Sequence, residues 1–475
     1  MRRLRFAVAM LAGCLFGIDA VAQDSSLYYK KDYQQQALEI FRHLISIRSA
    51  AGHGKVPEVA EYLAEQFIRG GFDPEDVHVL PQTLSTGEEA ASLVVRYRGD
   101  GSSGKKPILL IAHMDVVDAI ASDWERDPFT LIEEDGFFFG RGTLDDKFGI
   151  TTLTTNFLRL KRERFTPTRD LIIGFTGDEE TGMETTRALA TTYRHLTDAE
   201  YVLNADGGGG YQDRDGNALA YLLQAAEKTY ASFELTVRNP GDHSSIPRKD
   251  NAIYELATVL KNIEAHEFPA KINDITRRYF ELAAPLSEEP LRSAMQNFAK
   301  DPSNPEAQAI LSAIPTQVGL TRTTCVATML KAGHAENALP QSATATVNCR
   351  IFPGETAEDV QATLRDVGRN PSIEIRLLAE ALESPVSPMI EEVTAAVTHA
   401  VHDNYGDVPI IPYMAPYGTD GKEMRRADMP TYGVMGIFMK DEDIFAHGLN
   451  ERVPVDSFYK ALDYWHQMLT ELGGR

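Results

Sequence analysis

The sequence predicts an α/β fold: a mainly parallel sheet flanked by helices, with a smaller α+β unit inserted into it. Three observations carry that expectation. ASLVVRYRG, KPILLIAHMD, RDLIIGFTGDEE and AEYVLNADGG are short, nearly continuous apolar runs that end in polar or acidic residues, as strands buried on both faces do. They alternate with helical stretches at 149–161 and 184–193, the order that builds a helix-covered parallel sheet. From about Lys228 the texture changes, and from about Ser384 helix and buried strand resume. The middle stretch therefore interrupts the outer one.

Taken in order, residues 33–47 and 57–72 show helical apolar spacing, and the second ends at Gly70-Gly71 as a helix C-terminus should. The four buried strands follow. In such sheets ligands gather beyond the carboxyl ends of the strands, where His113, Asp115, Asp178, Glu179, Glu180 and Asp206 all fall. After Lys228, TYASFELTVRN alternates as a strand, DNAIYELATVLKNIEAH is helical, and TTCVATMLKAG and ATATVNCRIF are strands. A helix at 355–367 and the strand SIEIRLLAE complete the unit. That order describes a small open sheet with helices on one face, holding a mostly helical insertion at about 267–312. PIIPYM, TYGVMGIF and a helix at 455–472 close the chain. The expected division is a leader at 1–22, a large domain built from 23–227 and 381–475, and the inserted domain at 228–380.

At 475 residues the chain exceeds one ordinary core, consistent with two domains. Asp plus Glu outnumber Lys plus Arg by 69 to 47, which argues against a nucleic-acid partner, because phosphate binding needs basic stripes. After the first twenty residues no apolar run is long enough to span a membrane. The N-terminus has Arg2, Arg3 and Arg5, then an apolar stretch from Phe6 to Ile18 and the small-residue pattern Ala20-Val21-Ala22. It reads as a secretory signal cleaved after Ala22, which places the protein in the periplasm or outside the cell. A rival reading takes Leu11-Ala12-Gly13-Cys14 as a lipoprotein box that leaves Cys14 lipidated. The residues after Cys14 stay apolar, which favours the first, and both readings export the protein. Cys325 and Cys349 then sit in an oxidising compartment, either bridged across two strands or as two buried thiols.

The chemistry gathers at the strand ends. In His113-Met114-Asp115, residues two apart on an extended strand face the same way, so Asp115 can orient one imidazole nitrogen while the other binds a metal. GRGTLDDKFG holds Asp145 and Asp146 side by side, which alone would read as a solvated turn. Glu179 and Glu180 follow one strand, Asp206 another, and His447 comes after the last. Three acidic strand ends cannot crowd one edge without cations. Five N and O donors, His113, Asp145, Asp206, His447 and a glutamate of the 179/180 pair, are one too many for a tetrahedral zinc. They suit two metals that share a bridging carboxylate.

GRGTLDDK, AHMDVV, TGDEETG, NAD, GDHSSIP, ENALPQSATATVNCRIFPGE, YGTD and HGLNERV, in this order, resemble the dizinc exopeptidase family of aminoacylases, carboxypeptidase G, carnosine dipeptidases and Gly-Xaa carboxypeptidases. The resemblance runs from about Leu38 to Leu472. It implies two zinc ions, with cobalt or manganese as alternatives, held by His113, Asp145 as the bridge, Glu180, Asp206 and His447. Asp115 would orient His113. Glu179 would be the general base, taking a proton from the metal-bound water and delivering it to the leaving amine. The peptide from Asp145 to Asp146 would be cis, aiming the bridging carboxylate, with Asp146 in support. The inserted unit would be a lid and dimerisation domain. His243 would stabilise the oxyanion, often across the dimer interface, while Arg350 and Asn337 would bind the substrate carboxylate. Gly418 and Thr419 would line the same pocket.

In the family that this chain resembles, glutamate at the position of Asp206 looks typical of deacylases and carboxypeptidase G and aspartate of dipeptidases, aminopeptidases and Gly-Xaa carboxypeptidases. That tilts the expectation towards an exopeptidase acting on dipeptides or C-terminal peptide bonds of short peptides. The chief alternative is an N-acyl amino acid amidohydrolase. A binding protein that kept the fold and lost catalysis is disfavoured because Glu179 and all five donors are present. Gly207 to Gly210 lacks the lysine and spacing of a phosphate loop and reads as slack after a ligand. No GxSxG elbow is present, and neither remaining cysteine sits in a nucleophile context.

Overall fold

The computed structural model describes residues 31–474, so the leader and Cys14 lie outside the described residues. Its larger sheet has ten strands. At the centre, Leu171–Thr176, Ile108–His113, Tyr201–Asn204 and Thr431–Gly433 run parallel. The antiparallel strands Val77–Thr83 and Glu89–Tyr97 extend one side. A hairpin of Gly209–Gln212 and Ala218–Glu227 extends the other, and its strands take Phe438–Lys440 and Ile410–Ala415 as parallel partners. Every residue of Ile108–His113 and Leu171–Thr176 is buried, as their unbroken apolar runs require.

Register decides where the chemistry falls. His113 pairs with Thr176, so those two strands finish level, and Asn204 ends the third opposite Ile111, just short of them on the same edge. The helix Lys147–Arg162 begins at the same edge and is buried along most of its length. The Asp146 carboxylate caps it, accepting from the Gly149 N–H at 3.1 Å. A side chain at position 149 would place a Cβ 2.3 Å from that carboxylate. Glycine is therefore the residue this cap needs.

The smaller sheet is antiparallel, in the order Thr324–Ala332, Ser342–Ile351, Thr229–Arg238, Glu374–Leu377. Alternate residues Ala231, Phe233, Leu235 and Val237 bury one face against Leu256, Val259 and Leu364 of the helices Ala252–Glu264 and Ala357–Gly368. Cys325 and Cys349 lie opposite each other in the register and are joined as a disulfide, which settles the two alternatives. Thr324–Ala332 is an edge strand, with Val326, Met329 and Leu330 exposed.

Two features depart from the sequence expectation. The helices Asp274–Ala283, Leu291–Lys300 and Pro305–Ser312 fall within the stretch assigned to the inserted unit. They pack instead on the larger body, where Ile275, Phe280, Phe298 and Leu311 share a core with Ile411 and Met414. The first of them, Asp274–Ala283, packs against Ile410–Ala415, which among the described residues has one strand neighbour, and the other two extend from it. The glycine run, expected to be slack, instead leads into strand Gly209–Gln212. A Cβ at Gly208 would stand 2.4 Å from the Gly433 carbonyl oxygen, so the run is a close approach of backbones.

Candidate active site

His113 ends its strand with a fully buried imidazole. Its Nδ1 lies 3.0 Å from the Asp115 carbonyl oxygen and 3.5 Å from the Asp115 carboxylate. The carbonyl is thus the nearer orienting group, where the sequence pointed to the carboxylate. That carboxylate instead accepts the backbone N–H groups of Glu179 and Glu180, at 3.1 and 3.0 Å. Asp115 therefore fixes the acidic turn as well as the imidazole. Asp178, next in that turn, faces away, accepting from the N–H groups of Glu184 and Thr185.

Asp145 stands between the two histidines. One carboxylate oxygen lies 2.9 Å from His113 Nε2, and the other 3.0 Å from His447 Nε2. His447 Nε2 is also 2.9 Å from Glu180 Oε1, and an Asp206 oxygen lies 4.0 Å from His113 Nε2. The five expected donors thus converge, with Asp145 shared by two groups, and His113, Asp145 and Glu180 satisfy the spacing of a metal-binding cluster. The Asp145–Asp146 peptide is cis. Asp146 is fully buried and accepts from the His113 N–H at 3.3 Å. The adjacent aspartates have different tasks: one faces the cleft and the other braces its wall.

Charge in the cluster is balanced by protons. Burial opposes ionisation of Asp145, yet its hydrogen bonds to His113 and His447 outweigh burial and hold its carboxyl well below the usual range. Hydrogen bonds to Asp145 and then Glu180 raise the His447 imidazolium from 6.5 to about 10. Burial, reinforced by the Asp145 carboxylate, pushes Asp206 well above the ordinary carboxylate range. Burial also raises Glu179, with Asp206 adding to it. Two imidazoles and three carboxylates are a donor set for zinc, cobalt or manganese, and the crowding of carboxylates is what divalent ions would relieve.

These groups open into a cavity of about 380 Å³. Asp145, Glu179, Asp206 and His447 form one wall. Tyr211, Tyr417, Met435, Ile437, Met439 and Ile444 form an apolar one. Gly418 lines the cavity, whereas Thr419 does not: it is buried, donating through its N–H and hydroxyl to Glu227 at 2.8 and 3.1 Å. His243, Asn337 and Arg350 are not among the lining residues. His243 and Asn337 sit together on adjoining loops of the smaller sheet, where the Ser244 N–H donates to the Asn337 carbonyl at 3.0 Å. The Arg350 guanidinium lies 4.7 Å from the centre of the Tyr230 ring.

Tyr417, Arg141 and Glu451 were not singled out from the sequence. Arg141 and Glu451 lie inside the motifs GRGTLDDK and HGLNERV, and their motif membership was the available signal. Tyr417 is the first residue of YGTD and carried the same signal, though nothing in a tyrosine alone distinguishes a cavity wall from core.

A metal ligand must be deprotonated, and His447 carries its proton below about pH 10 when only Asp145 and Glu180 face it. Zinc loading between pH 7 and 9 should therefore release protons. Titration calorimetry in buffers of different ionisation enthalpy should show an apparent heat that depends on buffer, less so in His447→Ala. Buffer-independent heat would contradict the assignment.

Residues 109–471 match the profile described as Peptidase family M20/M25/M40. Over 369 residues the chain is 28% identical to the N-fatty-acyl-amino acid synthase/hydrolase PM20D1 of Xenopus tropicalis, covering 76% of this chain and 72% of that protein. It is 26% identical over 398 residues to Probable carboxypeptidase S-like 2 of Dictyostelium discoideum, covering 80% and 74%. The M20 family metallo-carboxypeptidase Sso-CP2 from Sulfolobus solfataricus has the same fold, with a TM-score of 0.69 at 18% identity, over 92% of this chain and 99% of that one. With the profile spanning most of the chain and the five donors gathered where the parallel strands end, this protein belongs to peptidase family M20/M25/M40.

Proposed function

We propose that the protein is an exported, metal-dependent exopeptidase that hydrolyses dipeptides or the C-terminal peptide bond of short peptides. The observation that carries this reading is the mutual approach of five candidate donors, of which Asp145, Asp206 and His447 line the cavity together with the buried Glu179. His113, Asp145 and Asp206 would hold one ion, and Asp145, Glu180 and His447 the other. Bound divalent ions, zinc or alternatively cobalt or manganese, supply Lewis acidity that acidifies water and polarises a carbonyl. Glu179 takes the proton of the attacking water on its carboxylate and returns it to the leaving nitrogen. Burial suits it to hold that proton between the two transfers.

His243, Asn337 and Arg350 supply the rest from the smaller unit. Arg350 and Asn337 bind the substrate carboxylate, and His243 stabilises the oxyanion. None of them lines the cavity within one chain, which fits closure of the smaller unit and a homodimer in which His243 acts on the partner's site. The exposed Val326, Met329 and Leu330 on the edge strand suit burial against a second copy. The leader at 1–22 directs the protein to the periplasm or the exterior.

One observation favours a second reading. The wall of Met435, Ile437, Met439 and Ile444 would accept an aliphatic acyl chain, and PM20D1 is named for N-fatty-acyl-amino acids. An N-acyl amino acid amidohydrolase would use the same metals, the same base and the same carboxylate contacts.

Initial rates on dipeptides, short peptides, N-acetyl and N-long-chain-acyl amino acids, with metal-loaded enzyme, separate these readings. The first expects kcat/KM to be highest for peptides; higher values for long-chain acyl substrates would replace it with the second, and inertness towards every class would end both. Glu179→Gln should keep its metals by elemental analysis and lose on the order of 10²- to 10⁴-fold in kcat, whereas wild-type turnover would remove Glu179 from the mechanism. Inactive His243→Ala and Glu179→Gln subunits, mixed under exchange, should recover activity if His243 works across the interface. Exchange without recovery would place it in its own chain's site.

A further inference from the structure

Two buried charged residues in the metal-ligand loops touch neither a donor side chain nor the cavity: Arg141, 3% exposed, and Glu451, fully buried. They form an ion pair at 2.5 Å. Burying a charged pair costs several kcal/mol per ion before their attraction is counted, and well-packed apolar residues are often as stable. Stability alone does not account for the pair.

Their remaining hydrogen bonds show what apolar residues would lack. Glu451 follows His447 by four positions, but its Oε1 accepts three backbone N–H groups from the other ligand loop: Gly142 at 3.0 Å, Leu144 at 2.8 Å and Asp145 itself at 3.2 Å. Arg141 precedes Asp145 by four positions and reaches the opposite way. Its Nη2 donates to the carbonyls of His447 and Gly448, at 3.1 and 3.2 Å. A backbone bond from the Gly140 N–H to the Glu451 carbonyl, at 3.0 Å, ties the loops again. Each member of the pair is thus rooted in one ligand loop and holds the backbone of the other. His447 is held in a left-handed conformation, φ 62°, which most non-glycine residues avoid, and its carbonyl is one of the groups Arg141 grips.

We propose that Arg141 and Glu451 are positioning residues that lock the Asp145 loop to the His447 loop, so that the shared carboxylate and the second imidazole are set at one spacing before metal arrives. This rests on the five-donor reading of the site and adds to it a determinant of metal affinity that is not itself a ligand. The site is then filled as a unit: loosening the lock weakens the ion bound by Asp145, Glu180 and His447, and through Asp145 the other ion as well.

The test is metal affinity, measured by competition with a chromophoric chelator for zinc and by the visible spectrum of the cobalt protein. Thermal melting of the metal-free protein is recorded in parallel. Glu451→Gln and Arg141→Met should each fold, melting below wild type because one partner of a buried pair is gone, and bind zinc about 10- to 100-fold more weakly, the range for outer partners of metal ligands. Their cobalt spectra at saturation should differ from wild type. The double variant Arg141→Met with Glu451→Leu, which leaves no buried charge unpaired, keeps the test open if a single variant does not fold. It should fold, at a melting temperature lowered by the backbone groups it leaves unpaired, and still lose affinity. Wild-type affinity and spectrum in any folded variant would overturn the proposal, with the five-donor site left standing. Failure of wild-type protein to take up metal would instead overturn the reading on which it rests.

Discussion

The structure depends on one electrostatic constraint: three carboxylates are held at the carboxyl edge of a buried parallel sheet, where water is scarce and like charges repel. Glu180 and Asp206 follow neighbouring parallel strands, and Asp145 reaches the same edge from the loop before the helix Lys147–Arg162, beside His113. Such a group persists only if positive charge stands among it. The two imidazoles fill that role in part, which is why His447 holds its proton so far above its ordinary value. Protons on histidine and divalent cations compete for the same carboxylate oxygens, and the raised proton affinity of the cluster is the counterpart of its capacity for metal.

The same constraint explains why acidic residues come in adjacent pairs here. Consecutive side chains diverge, so each pair can send one carboxylate to the cleft and use the other elsewhere. Asp145 faces the imidazoles, while Asp146 caps the helix Lys147–Arg162 and receives the His113 N–H. Glu180 meets His447, while Glu179 reaches the cavity wall beside it. The backbone N–H groups of Glu179 and Glu180 both rest on Asp115, so a single carboxylate sets the relative height of the two glutamates. A rigid scaffold that fixes the supporting groups fixes the acting ones.

Much of this was legible in the sequence because it is local. Buried strands announce themselves as unbroken apolar runs, and their ends as the first acidic residues; His113, Glu179, Glu180 and Asp206 needed no more than that. The C-terminal helix, Val455–Leu472, matches its apolar spacing to the residue. What stayed hidden depends on packing between distant segments. ALAYLLQAAE is a strand because Ile410–Ala415 and Gly209–Gln212 flank it, but its run of Ala and Leu is equally helical on paper. The helices near 274–312 are amphipathic wherever they lie, and no pattern says which body their apolar stripe will meet. Thr419 is drawn from the cavity by Glu227, a residue 192 positions away. The Asp115 carboxylate was expected at an imidazole because spacing of two shows only which way a side chain points, whereas the nearer acceptor proved to be a carbonyl.

The distribution of roles over the two sheets has a mechanical consequence. The groups proposed to hold metal and move the proton stand at strand ends and on loops of the larger body, braced by buried hydrogen bonds. The groups assigned to substrate, His243, Asn337 and Arg350, stand on a sheet with its own core, and two of them are on exposed loops. Metal chemistry needs donors fixed within a fraction of an ångström before substrate arrives. Substrate binding needs an entrance that later excludes water, which favours placing the carboxylate-binding groups on a body able to move as a whole. Under the proposed function, separating the two sets would let the first stay rigid while the second moves.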